Sequence, residues 1–318
     1  MYLSTLTLTE MAPHPRVISL LPSATELLCA FGAEELLVGR SHECDFPPSV
    51  LSRPCLTAAR TQGKSSAEID TEVREAVSQG AASLYTIDEA RIRELAPDII
   101  LTQDLCEVCS IDLASVQRLA ATLPSHPRIV SLNPKSIFDV FDDLLRVGEE
   151  VGRPALAAHA MVKLRDGYWS AMDFVNPFVP GPEVLFLEWM DPLFVGGHWT
   201  PQLIQDAGGR HSLNEAGARS RQITPEDALE SMPTRVLIAP CGFDLARIRS
   251  ELPALTSSRW WPLLPAVLEG NPKHILAVDG NQMFNRPGPR LVDAFRFLVG
   301  WLNDRPELIP ENFPVEAI

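Results

Sequence analysis

Hydrophobic residues recur along this chain with two different periods, and the alternation between them sets the architecture. Arg16-Val-Ile-Ser-Leu-Leu21 is a short apolar run of strand type, and Pro22-Ser-Ala-Thr-Glu26 then opens a helix in which Ser23 and Glu26 have the spacing of a capping box. A second short strand is expected over Leu36–Gly39, a helix from Ser66 to about Ser78, and further strands over Ser83–Tyr85, Asp98–Thr102 and Arg128–Leu132. Strands alternating with helices predict βαβ units and a mostly parallel sheet. The middle of the chain changes character. From Ser136 to Val151, apolar residues (Ile137, Phe141, Leu144, Leu145, Val147) fall at helical spacing, Gly152 reads as a stop, and Pro154 suits the first turn of a second helix running to about Phe174. The alternation then restarts with strands at Glu183–Glu188, Arg235–Ala239 and Lys273–Val278, helices from Thr200 and Thr224, and a last helix over Pro289–Leu302.

The pattern predicts an α/β protein of two Rossmann-like lobes with mostly parallel sheets, joined by a long helix. The expected divisions are a tail over 1–15, an N-terminal lobe over 16–135, a helical bridge over 136–176, a C-terminal lobe over 177–306, and a tail over 307–318. After Pro306 the tail offers little to pack with.

Charge and composition narrow the function. The 318 residues hold 27 Lys and Arg against 41 Asp and Glu, a formal charge of −14, with no basic run to offset phosphate repulsion. Nucleic acid and anionic membrane surfaces are therefore excluded as expected partners. No stretch has the roughly 18 apolar residues of a membrane span. Residues 1–15 lack the basic start and apolar core of a secretory leader, so a cytoplasmic location is expected. A monomer or dimer is expected. In a reducing compartment the six cysteines read as metal or redox groups before structural ones.

The candidate chemistry lies just beyond strand ends, where open α/β sheets bind ligands. His42 and Cys44 follow the second strand, Cys106 and Cys109 follow Asp98–Thr102, His198 sits in Gly196-Gly-His-Trp199, and Cys241 follows Arg235–Ala239. All six are candidate metal ligands, and His42, Cys44, Cys106 and Cys109 have the composition of a four-ligand zinc site. The spacing of Cys106 and Cys109 equally suits a redox disulfide. Cys29 and Cys55 read as core or loop residues. Glu188-Trp-Met-Asp-Pro192 supplies an indole and two carboxylates, and Trp199 a second indole, suited to a large flat ligand. Asn285 and Arg286 offer an amide and a guanidinium to polar substituents. No dinucleotide fingerprint, phosphate loop or nucleophile elbow occurs.

The run from Arg16 to Glu26, followed by Val38-Gly-Arg-Ser-His-Glu-Cys-Asp45, resembles the periplasmic-binding-protein family that carries vitamin B12 and iron–siderophore complexes, and within it the cobalamin-binding substrate-binding proteins. Thr102–Cys109, Glu188–Pro192, Gly196–Trp199 and Asn285–Pro289 resemble a branch carrying a pair of cysteines two residues apart, here read as cytoplasmic. The resemblance covers about Arg16 to Leu302. It implies two α/β lobes joined by a long backbone helix, limited hinge motion, and capture without chemistry of cobalamin or a related metal-bearing tetrapyrrole, passed on to a transporter or a ligand-accepting enzyme. Ser23, His42, Glu43, Cys44, Glu188, Trp189, Asp191, His198, Trp199, Asn285 and Arg286 are then the expected ligand contacts, with Trp189 and Trp199 against the ring. Two alternatives stay open. One is a zinc- or iron-dependent enzyme at the His and Cys cluster, with Glu43 or Glu188 as general base. The other is a thiol redox protein using Cys106 and Cys109.

Overall fold

The computed structural model describes residues 14–60, 63, 65–78, 84–104 and 113–318. The N-terminal sheet contains β1 (Val17–Ser19), β2 (Leu37–Arg40), β5 (Ile99–Thr102) and β6 (Arg128–Ser131), all parallel, in the order β2-β1-β5-β6. α1 (Pro22–Ala30) joins β1 to β2. Between β2 and β5 the chain leaves the sheet to form an antiparallel ribbon of β3 (Thr57–Ala59) and β4 (Tyr85–Ile87), with α2 (Ser66–Ser78) inserted between the two strands. α3 (Glu89–Leu95) and α4 (Leu113–Thr122) complete this lobe.

The bridge is a helical hairpin of α5 (Ile137–Glu150) and α6 (Pro154–Met172). α5 starts at a full capping box: Ser136 Oγ accepts from the Asp139 N–H at 3.2 Å, and Asp139 Oδ2 accepts from the Ser136 N–H at 2.9 Å. Its apolar stripe Ile137, Val140, Phe141, Leu144 and Val147 is buried. The 19 residues of α6 span about 28 Å.

The C-terminal sheet is mixed rather than mostly parallel. β7 (Val184–Met190), β10 (Arg235–Ile238) and β11 (Ile275–Val278) are parallel, and three strands add antiparallel: β8 (Leu193–Val195) on β7, β9 (Arg221–Gln222) on β8, and β12 (Val315–Ala317) on β11. The helices of this lobe are α7 (Thr200–Asp206), α8 (Pro225–Glu230), α9 (Leu245–Thr256), α10 (Pro265–Leu268) and α11 (Leu291–Leu302). The tail after Pro306 has more to hold it than its sequence suggests. β12 closes the free edge of β11, and Phe313 stacks on Phe297 of α11 with ring centroids 4.4 Å apart.

One apolar core runs through both halves, from Leu27 and Leu28 of α1 through Phe141 of α5 and Tyr168 of α6 to Phe295 of α11 and Phe186 of β7. Two further clusters cover the outer faces of the sheets, one on each lobe. The lobes are thus packed on a shared helical spine, which fixes the direction in which their strand ends face. No helix among the described residues is long and apolar enough to cross a membrane.

Candidate functional site

The carboxyl ends of β1, β2 and β5 open onto a hollow lined by Leu20, Ser41, His42, Glu43, Thr102 and Gln103, together with Thr57 and Tyr85 from the ribbon. These side chains are held by one another. His42 uses both its backbone N–H (3.0 Å) and ring Nδ1 (2.7 Å) on Thr57 Oγ1, which fixes the imidazole. The Tyr85 ring lies 5.3 Å from it, and the Tyr85 hydroxyl donates to Glu43 Oε1 at 3.3 Å. Tyr85, Thr57 and Gln103 escaped the sequence reading. Their signal was weak, because the ribbon strands are three residues long and carry one buried position between them.

The other expected contacts lie at the strand ends of the C-terminal lobe. Trp189, near the end of β7, is half-buried with its ring tilted against Phe243 at 5.0 Å, and the Arg247 guanidinium lies 3.7 Å over the Phe243 ring. His198 is half-buried in a left-handed conformation (φ 52°), its backbone tied to Ala218 (2.6 Å) and Gly217 (2.8 Å). Its Nδ1 is buried without a hydrogen-bond partner, and burial, followed by the charges of Arg219 and Lys135, pushes its pKa down. The imidazole is therefore neutral at neutral pH, the form that ligates metals. Glu188 sits beside Trp189, Asp191 is exposed in the β7–β8 turn, and Cys241 is exposed after β10.

Several expected contacts serve the fold instead. Trp199 is 6% exposed in the shared core, and its indole N–H donates to the Phe284 carbonyl at 2.6 Å, so it is a packing residue and not a ring contact. Ser23 caps nothing: Leu21 is the residue before α1, with no side-chain cap, and a Cβ placed on Gly288 would lie 3.5 Å from the Ser23 backbone, so the Gly288 loop comes close to it. Cys44 is fully buried, with Thr25 Oγ1 at 3.0 Å and Ser41 Oγ at 3.3 Å from its sulfur. Burial pushes this thiol up despite those hydrogen bonds, which opposes a ligating thiolate. Asn285 spends both amide hydrogens on the Ala239 and Gly280 carbonyls, each at 2.9 Å.

Arg286 is the largest correction. It is buried and joins the lobes, donating to Asp45 Oδ1 (2.6 Å), Glu26 Oε1 (3.2 Å), the Glu43 carbonyl (3.2 Å) and Asn281 Oδ1 (2.9 Å). Arg290 completes the set with bonds of 2.6 and 2.9 Å to the two Glu26 oxygens. Burial works against the Asp45 carboxylate, but the hydrogen bond and charge of Arg286 outweigh it and hold its pKa below the ordinary range. The expected helix-capping residue Glu26 is therefore the centre of an inter-lobe ion network.

Cys106 and Cys109 lie outside the described residues. Among the described residues, no group of three or more His, Cys, Asp or Glu side chains is placed to hold a bare metal ion.

No family model matches the chain. A vitamin B12-binding protein from Photorhabdus laumondii is 25% identical over 308 residues, covering 96% of this chain and 94% of that protein. Among solved structures, the periplasmic vitamin B12-binding protein BtuF of Vibrio cholerae superposes with a TM-score of 0.66 at 18% identity, over 93% of this chain and 99% of its own. A periplasmic haem-binding protein from Pseudomonas aeruginosa gives 0.69 at 20% identity, over 96% and 98%. The two-lobed binding-protein fold is thereby established, and the resemblance to vitamin B12-binding proteins is borne out over 96% of the chain, without extending to the branch with paired cysteines. The cytoplasmic location expected from the sequence is overturned. The vitamin B12- and haem-binding proteins that share this fold are periplasmic and point to that compartment, and the inference from a reducing environment to metal or redox cysteines falls with it.

Proposed function

We propose that this chain, built on the fold of the periplasmic vitamin B12- and haem-binding proteins, captures cobalamin or a related metal-bearing tetrapyrrole between its lobes and carries out no chemistry on it. The observation that carries the reading is the set of aromatic and polar side chains held at the strand ends of both lobes. The N-terminal lobe supplies the fixed imidazole of His42, Tyr85 and Glu43; the C-terminal lobe supplies Trp189 against Phe243 and the neutral His198. An aromatic face suits a planar macrocycle, and polar groups around it suit the ring's substituents. Relatives named for vitamin B12 and for haem support the class of ligand, and their periplasmic setting supports delivery to a membrane transporter.

Purified protein titrated separately with hydroxocobalamin and with haemin should perturb the visible spectrum of one of them at micromolar concentration. The absence of any spectral change and of calorimetric heat with both would refute the reading.

A further inference from the structure

The ribbon between β2 and β5 does more than line the hollow. Its strands carry Thr57 and Tyr85 into the N-terminal wall, while the helix inserted between them, α2, leaves its own lobe and lands on the other. Three contacts hold it there. The N–H of Ser66, its first residue, points at both carboxylate oxygens of Glu251 on α9 at 3.0 and 3.2 Å, and the Ser66 hydroxyl also donates to that carboxylate. Arg74 donates to Gln222 of β9 at 3.3 Å. Ile69 packs against the apolar cluster of the C-terminal lobe.

Glu251 also has a second home. Arg247, one turn earlier on α9, places Nε 3.8 Å from Glu251 Oε1, and Arg247 Nη2 is buried without a hydrogen-bond partner. With the Ser66 contact broken, the Glu251 carboxylate keeps the Arg247 guanidinium, itself held over the Phe243 ring, as its partner. The carboxylate is thus provided for whether α2 is docked or released, which is the arrangement a two-state element requires.

We infer that α2 is a clasp across the mouth of the cleft, closed by Glu251 on Ser66 and opened by transfer of Glu251 to Arg247. The inference deepens the binding function and rests on it only for what passes through the cleft. The shared core and the Glu26–Arg286–Arg290 network hold the floor of the cleft, so the clasp opens without separating the lobes. The β3–β4 ribbon, whose strands precede and follow α2 in the chain, carries Thr57 and Tyr85 of the hollow, so one insertion serves both the clasp and the ligand wall.

The test is hydrogen exchange on the full chain, comparing the wild type with Glu251→Ala and with the milder Glu251→Gln. A charge-assisted capping bond of ordinary strength predicts that α2 amides exchange about tenfold faster or more in Glu251→Ala, by a smaller factor in Glu251→Gln, and that α1 and α11 amides do not change. Unchanged protection of α2 would overturn the clasp. So would equal acceleration in α1, α2 and α11, since α2 would then open only with the whole fold. Stopped-flow release of hydroxocobalamin or haemin should speed up in step with α2 exchange. If neither ligand binds, the proposed function fails while the exchange pattern still decides the clasp.

Discussion

Two indoles flank the same histidine-bearing segment, and their fates separate function from packing. Trp189 leaves β7 half-buried with its ring on Phe243, whereas Trp199 enters the shared core and donates to the Phe284 carbonyl. Trp199→Ala removes a buried aromatic and leaves that carbonyl without its donor, so it should cost about 3–5 kcal/mol in denaturant unfolding. Trp189→Ala should leave stability within about 1 kcal/mol, since the ring is only half-buried, yet weaken hydroxocobalamin or haemin affinity about tenfold or more. The reverse pattern would show that the roles are assigned the wrong way round. Both residues were visible in the sequence as candidate ring contacts. Which one enters the core was not, because it depends on the register of β8 against β7 and on the position of α11, which lie far apart in the chain.

At the level of elements, legibility follows the strength of the local signal. α5 announced itself through its apolar stripe and through Ser136, and it forms as expected with a capping box. α1 shows the same spacing at Ser23 and Glu26 without the box, because the helix begins at Pro22 and puts Ser23 inside it, while two arginines some 260 positions away claim Glu26. β12 and the ribbon strands are three residues each, and only partners distant in sequence make them strands. α5 also carries an element-scale liability in Asp143, which is 9% exposed with Oδ2 lacking any hydrogen-bond partner. Burial pushes its carboxyl up to about 7, with Asp139 and Asp142 adding to the shift and Arg146 opposing it. The folded chain therefore keeps this proton to neutrality, while the unfolded chain loses it near the ordinary carboxylate value of 3.8. Between these two values the native state binds more protons, so the group's contribution to stability falls as pH rises through the window and stays low above it. Asp143→Asn should abolish that decline and stabilise the protein by about 1 kcal/mol at pH 8, with little difference near pH 4. Thermal melts of both proteins across pH 4–8 measure it, and parallel curves would refute the assignment.

For the whole molecule, the question is what keeps two lobes facing each other around a cleft. The helical spine supplies part of the answer, and its apolar periodicity could be read in advance. The rest is electrostatic: Glu26 and Asp45 from one lobe meet Arg286 and Arg290 from the other, with Glu26 2% exposed and Arg286 5% exposed at their side chains. Desolvating such charges opposes folding, and the network is retained only while every member is matched. Glu26→Ala leaves the buried Arg290 guanidinium without its carboxylate and Arg286 with Asp45 as its remaining carboxylate, and should cost about 3–5 kcal/mol. Removing the matched pair is a different matter. Glu26→Leu combined with Arg290→Met takes away one charge of each sign and leaves Arg286 on Asp45, so the double variant should recover much of that loss. Urea denaturation of the two variants beside the wild type reads the difference directly. A double variant as unstable as Glu26→Ala would mean that Glu26 acts through its packing on α1 and not through charge, and the floor of the cleft would then owe its rigidity to the apolar core alone.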